Sequence, residues 1–260
     1  MKRIILNYLV VTAMVIVATL TSCEKDNNSN EKLLETITFD NGLYTKIEYD
    51  EKNRILKMSS HTETGELSYL ETFTYSGNDL VKIVGEFFSY PEDEYKIIRE
   101  FTRTENVISI MQVSGGSLST STLDLDSDEL PVKCVTETIS GSYVTNYQIQ
   151  NGNLVKVANK ETFGETTYDK GTEYKYGNKK SPYYSCKTPK WYMFWQAGEM
   201  GSKNNVTEMK SSDDWSIKND YVFDSDGYPT KRTQRSSVEG VKVTIIEFKY
   251  KDLLPDSESD

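Results

Sequence analysis

From residue 35 onward the chain repeats one short pattern: an aromatic or large apolar residue, a polar turn, then a segment in which apolar side chains alternate with lysine. The turns are Tyr49-Asp50-Glu51-Lys52-Asn53, Tyr75-Ser76-Gly77-Asn78, Phe101-Thr102-Arg103-Thr104-Glu105-Asn106, Leu125-Asp126-Ser127-Asp128-Glu129, Ile149-Gln150-Asn151-Gly152-Asn153 and Phe223-Asp224-Ser225-Asp226-Gly227. Successive starts lie 26, 26, 24 and 24 residues apart, and a further step of 25 reaches Tyr174. The gap from Tyr174 to Phe223 is 49, two periods, and Phe248 comes 25 residues later. A fixed period of this size marks a repeated supersecondary unit.

The residues after each turn repeat as well: Ile55-Leu56-Lys57-Met58, Leu80-Val81-Lys82-Ile83, Pro131-Val132-Lys133-Cys134, Leu154-Val155-Lys156-Val157 and Pro229-Thr230-Lys231-Arg232. Alternation with period two predicts strands whose lysine points away from the apolar face. Half a period later a second glycine turn occurs, as at Glu63-Thr64-Gly65-Glu66, Ser114-Gly115-Gly116-Ser117, Ser140-Gly141-Ser142 and Glu239-Gly240. Each unit therefore predicts two strands joined by tight hairpins. The expected fold class is all-β: an up-and-down antiparallel meander of about sixteen strands. So wide a sheet curls, splits or closes, and a closed or flattened barrel hides its edges together with its apolar face.

One segment breaks the period. Between residues 177 and 204 an insertion carries Tyr183, Tyr184, Trp191, Tyr192, Phe194 and Trp195. Thr188-Pro189 predicts a helix start, with the threonine as N-cap, and Gly198 or Gly201 predicts its end. An aromatic helix of this kind fills the apolar interior of a sheet; read functionally instead, Trp191, Tyr192, Phe194 and Trp195 form a candidate ligand contact for a sugar or peptide.

Residues 1–22 read as a signal peptide, with Lys2 and Arg3 ahead of an apolar run. The run ends in Leu20-Thr21-Ser22-Cys23, which resembles a bacterial lipobox and makes Cys23 the candidate lipidation site. Residues 23–32 read as a polar tether, and Cys23-Glu24-Lys25-Asp26 is similar to the acidic export signal of Bacteroidetes surface lipoproteins. The domain proper is expected over residues 33–251 and an acidic tail over 252–260. The expected location is thus the outer membrane, on its surface, with a periplasm-facing orientation left open.

With this order of features the chain resembles the Bacteroidetes lipoprotein family known as domain of unknown function 4595, porin-like in fold. The likeness is carried by the aromatic-turn-apolar-Lys units, by Asn178-Lys179-Lys180-Ser181-Pro182-Tyr183 and by Ser202-Lys203-Asn204-Asn205-Val206-Thr207. The resemblance implies a barrel-like antiparallel sheet and no established activity, so it transfers no functional residue. Tyr49-Asp50 through Arg54-Ile55 is also similar to the tyrosine-aspartate repeat of Rhs-type shells, but the units are too few for a large cocoon.

Charge and composition narrow the chemistry. The chain has 30 Lys+Arg against 40 Asp+Glu and a single histidine, His61. The acidic balance argues against nucleic acid, and one histidine removes His-based catalytic and metal constellations. No phosphate-cradling loop, G-x-S-x-G or H-E-x-x-H is present, so no cofactor and no metal are expected. Asp126-Ser127-Asp128 and Asp224-Ser225-Asp226-Gly227 look like calcium-loop openings but lack the distant bidentate glutamate, and hairpin turns account for them. Cys134 and Cys186, 52 positions apart, form no metal motif; a buried free thiol is the expected state of Cys134, with a disulfide left open. A membrane-spanning barrel is disfavoured because the lysine series charges one face at mid-strand.

These observations support a non-enzymatic, lipid-anchored binding or scaffold module. Its membrane contact is the N-terminal lipid, and its partner a glycan, a peptide or an outer-membrane protein. The alternative is a surface polysaccharide hydrolase using carboxylates at the barrel mouth, such as Glu71 with Glu86 or Glu48 with Asp50.

Overall fold

The computed structural model describes residues 30–88, 95–196, 198–241 and 243–253. Signal peptide, Cys23 and residues 254–260 lie outside the described residues. The strands are β1 (Lys32–Phe39), β2 (Tyr44–Tyr49), β3 (Ile55–His61), β4 (Leu67–Ser76), β5 (Asp79–Phe87), β6 (Lys96–Thr104), β7 (Val107–Ser114) and β8 (Ser117–Leu125). They continue as β9 (Pro131–Thr138), β10 (Gly141–Gln150), β11 (Asn153–Phe163), β12 (Thr166–Lys180), β13 (Asn204–Ser211), β14 (Ser216–Phe223), β15 (Pro229–Ser236) and β16 (Thr244–Asp252). Each pairs antiparallel with its neighbour in sequence, and β1 joins β16 from Lys32↔Asp252 to Phe39↔Ile246. The meander is a closed sixteen-stranded barrel, which leaves no sheet edge unpaired.

Three of the repeat turns are built alike. Asp50 Oδ1 accepts the amides of Lys52 and Arg54 at 3.0 and 2.9 Å, and Asp126 Oδ1 those of Asp128 and Leu130, both at 2.9 Å. Asp224 Oδ1 accepts those of Asp226 and Tyr228 at 3.0 and 2.9 Å. The fourth residue of each turn, Asn53, Glu129 or Gly227, takes a left-handed backbone with φ of 60°, 60° and 81°. The two calcium-like openings are therefore turn devices whose aspartates are engaged by backbone amides. Asp224 and Asp226 additionally clasp Lys32 at 2.9 and 2.5 Å, tying the start of β1 to the β14–β15 turn.

The lysine series takes the outward face, but through a repeated bulge rather than plain alternation: Leu56, Val81, Val132, Val155 and Thr230 are each skipped in the strand pairing, so every lysine faces away from the inward residue two positions before it. Lys57, Lys82 and Lys156 pair with Glu48, Glu100 and Glu173 on neighbouring strands, and Lys133 is exposed. Lys96–Glu86, Lys175–Glu208 and Arg235–Asp220 extend the same pattern across the outer wall. A lipid-facing barrel carries an apolar belt at this height, and these charges preclude one there. β7 and β8 differ, with Met111, Val113 and Leu118 exposed among serines and threonines.

Sixteen strands enclose more volume than wall side chains alone fill; barrels of this size elsewhere leave an aqueous channel. Here the insertion fills one end. β12 continues to Lys180, so the excursion from the sheet runs from Ser181 to Lys203, later than the sequence pattern places its start, and carries helix α1 (Lys190–Gln196) and a short turn α2 (Gly198–Gly201). Pro189 accepts the first helical amides, from Tyr192 and Met193. The Thr188 hydroxyl does not cap the helix as its position predicts. It accepts the Ile55 amide at 2.8 Å and meets Tyr75 Oη at 3.3 Å, a better use for it because Ile55 is buried at the start of β3. Backbone bonds from Lys187 to Asn53 and from Lys203 to Gly152 fix the insertion to opposite turns of the rim, and Ser185 meets Tyr228 Oη at 2.6 Å. At Gly201 a Cβ would lie 2.5 Å from the Phe194 ring, so only glycine lets α2 fold back on α1.

Candidate functional site in the barrel lumen

Inward-facing side chains form layers. Nearest the insertion, Tyr49, Ile55, Leu80, Ile108, Leu125 and Leu154 are buried; the next layer holds Ile47, Phe73, Ile83, Phe101, Leu123 and Cys134. The insertion completes this core: Tyr192 meets Phe73 edge-on at 5.6 Å, and Trp191 and Trp195 meet Phe101 edge-on at 5.3 and 6.2 Å. Trp191, Tyr192 and Phe194 are buried and Trp195 is half-buried, packed against the same cluster. Three of the four rings of the candidate ligand contact are thus packed inside the barrel, and Trp195 alone keeps a half-buried face. The apolar segment has gone where burial of its large aromatic area is most favourable. Cys134 and Cys186 are both buried free thiols, and burial pushes both thiols up.

One pleat beyond the second layer the lining changes. On the same inward columns stand Thr45, Ser60, Glu71, Arg99, Gln112 and Ser121, continued around the wall by Thr136, Thr145, Asn159, Thr172, Asn219 and Gln234. Most are half-buried, so water reaches them. Arg99 reaches Glu71 Oε1 at 3.1 Å and Gln112 Oε1 at 2.8 Å, and the Tyr69 hydroxyl donates to Glu71 at 2.9 Å. Burial, then the Glu71 charge, pushes the Tyr69 hydroxyl up. Ser121 and Thr136 share a hydrogen bond at 2.8 Å, as do Thr45 and Ser60 at 3.3 Å. This polar ring escapes the sequence reading, although a signal exists: most members lie two positions from a core residue with no bulge between, and so share its face.

The carboxylate pairs singled out for hydrolysis do not converge. Glu71 faces inward to Arg99, whereas Glu86 faces outward to Lys96. Glu48 faces outward to Lys57, and Asp50 is spent on its turn and on Arg54 at 2.6 Å. His61 stacks on Tyr44 at 4.7 Å in the β2–β3 hairpin.

Between the plug and the β13–β16 wall lies a cavity of about 190 Å³. Apolar groups of Ile37, Phe39, Met200, Val206, Tyr221 and Phe248 line it, together with Ser181, Glu199 and Arg232. Both Glu199 carboxylate oxygens accept from Arg232 Nη1 at 3.2 Å. Burial opposes the Arg232 charge, while Glu199 and Tyr221 raise its pKa above the usual guanidinium value. Burial also pushes the Tyr221 hydroxyl up, to about 12.

Solved structures similar to this chain include a porin-like protein from Bacteroides uniformis, 12% identical, with 84% of this chain and 96% of that one covered at a TM-score of 0.39. A porin-like protein from Bacteroides vulgatus is 13% identical over 85% of this chain and 99% of the other, at a TM-score of 0.44. No family model matches the sequence, and no curated protein matches it.

Proposed function

We propose that the protein is a lipid-anchored binding module of the bacterial envelope, without catalytic activity, which takes its ligand into the lumen from the end opposite the plug. It would belong with the lipoproteins of unknown function that its repeat resembles, with Cys23 as the lipidated residue and the outer-membrane surface as its location. The observation that carries this reading is the polar ring: hydroxyl, amide and paired charged groups face inward above a plugged apolar half, inside a wall whose other face is charged. Pockets that hold small ligands combine apolar walls with a few fixed polar groups, as here. Glu71 and Glu199 face the lumen and are each held by an arginine, which suits binding better than proton transfer.

Two measurements test the reading. Glycan-array and peptide-array binding by the full chain is compared with that of Thr145→Trp, which places a large side chain on the inward face of β10. The expected result is at least one ligand bound by the parent, lost in the variant and recovered uncleaved; equal binding by the variant, or cleavage of the ligand, would contradict the proposal. Cys23→Ser is expected to shift the protein from the membrane to the soluble fraction, and unchanged membrane attachment would remove the lipid anchor from it.

A further inference from the structure

The buried polar atoms that lack partners are not scattered. Among the described residues they are Lys180 Nζ, Ser181 Oγ, Asn219 Oδ1 and Arg232 Nε. Lys180 Nζ faces the Tyr228 and Tyr184 rings at 4.3 and 5.3 Å, which accounts for it by cation–π attraction. Two of the remaining three, Ser181 and Arg232, line the 190 Å³ cavity directly. The third, Asn219, donates its amide to the carbonyl of Val206, itself a lining residue. Ser181 is 1% exposed, so its hydroxyl is sealed from bulk water. Leaving such groups unpaired costs about 1–3 kcal/mol each. Two of the three, Ser181 Oγ and Arg232 Nε, thus border one void, where a bound molecule would supply the bonds they lack.

We propose that this cavity is a binding site for a single neutral pyranose unit, either a free monosaccharide or the terminal residue of a glycan. The proposal rests on the lumen-binding reading above and names its ligand class. Size sets the first limit: 190 Å³ corresponds to about six waters, which is the scale of one sugar ring and below that of a drug-sized ligand. Charge sets the second. Arg232 and Glu199 neutralise one another at 3.2 Å, so an anionic ligand would meet the carboxylate and a cationic one the guanidinium, each at a loss. Chemistry sets the third. Arg232 Nε only donates, the Glu199 carboxylate only accepts, and Ser181 Oγ does either. Adjacent hydroxyls of one ring satisfy all three at once, accepting from Arg232 while donating to Glu199. Phe39, Tyr221 and Phe248 supply apolar faces for the ring's C–H side.

The test is calorimetric titration of the full chain with glucose, galactose, mannose and N-acetylglucosamine, each free and as the terminal unit of an oligosaccharide, alongside gluconate and glucosamine. Saturable binding of a neutral sugar is expected. Ser181→Ala should weaken it at least about threefold and Arg232→Lys, which keeps the charge beside Glu199 but removes Nε, about tenfold. Met200→Trp, which fills the void, should abolish it. Binding only of the oligosaccharide forms, with the same sensitivity to these variants, supports the terminal-residue form of the proposal. Ser181→Ala deletes a hydroxyl that has no partner, so it keeps the fold and carries the test even where another variant fails to fold. Failure of every neutral sugar to bind, preference for gluconate or glucosamine, or binding unchanged in Ser181→Ala and Arg232→Lys would each overturn the proposal. A ligand lost in Thr145→Trp but indifferent to Ser181, Arg232 and Met200 would overturn this site while leaving the lumen reading intact.

Discussion

The two halves of the lumen are lined by the same strands with the same pleat, yet they are built from opposite materials. Toward the plug, Ile47, Phe73, Phe101 and Leu123 bury completely or nearly so; one pleat away, Thr45, Glu71, Arg99 and Ser121 occupy the same columns. Closure of the barrel hides both halves from the outside. Only the first receives the aromatic insertion, so only the first is packed, apart from the cavity beside Arg232 and Glu199. The contrast teaches that inward position in a wide barrel is not the same as burial: a sixteen-stranded wall cannot fill its own interior, and what is not plugged must be polar.

That division gives a graded set of expected outcomes. The largest belongs to the plug. Tyr192→Ala removes a ring packed between Phe73, Trp191 and Phe101 and is expected to cost about 3–5 kcal/mol in denaturant unfolding. A loss below about 1 kcal/mol would mean that the insertion contributes little to the core. Next comes the polar ring, where Arg99→Leu strands the buried Glu71 but leaves it the Tyr69 hydroxyl, an expected cost of about 1–3 kcal/mol. The double variant with Glu71→Leu should recover most of that loss, and a double-mutant cycle that shows no coupling would break the assignment of the pair.

The plug half should also carry most of the alkaline sensitivity, with Tyr69 the contribution from the polar half. Burial raises the hydroxyls of Tyr49, Tyr147, Tyr183 and Tyr192, and Tyr221 stands at about 12 against 10.0 for the free side chain. A raised folded-state pKa stabilises the fold fully below the unfolded value and loses that contribution as pH rises through the folded one. Stability is therefore expected to fall between pH 10 and about 12, with late tyrosinate absorbance appearing together with unfolding. Tyrosinate formation complete near pH 10 in the folded protein would contradict the burial. Smallest of all is the outer wall: Lys82→Ala, which removes an exposed cross-strand partner of Glu100, should change stability by about 0.5 kcal/mol or less, and less still at high salt.

Strand number, the hairpin turns and the outward lysines are all legible in the sequence because they depend on neighbours within one repeat. Asp50, Asp126 and Asp224 each build their turn from residues no more than four positions away. Closure is not legible in that way, since Leu33 meets Lys251 across almost the whole chain. Nor is the Arg232–Glu199 pair, which forms only once the insertion has folded back into the barrel. The aromatic run at residues 191–195 packs into the core; composition states that it is apolar, but only the barrel's unfilled interior decides where it goes.

Thiol labelling discriminates the two halves most directly. In a chain with Cys23→Ser, Cys134 and Cys186 mark the plugged half, and an added Ser119→Cys marks the inward face of β8 at the polar end. A water-soluble maleimide is expected to modify Ser119→Cys rapidly while Cys134 and Cys186 react only on unfolding. Equal labelling of all three in the folded protein would contradict a barrel that is sealed at one end and water-filled at the other.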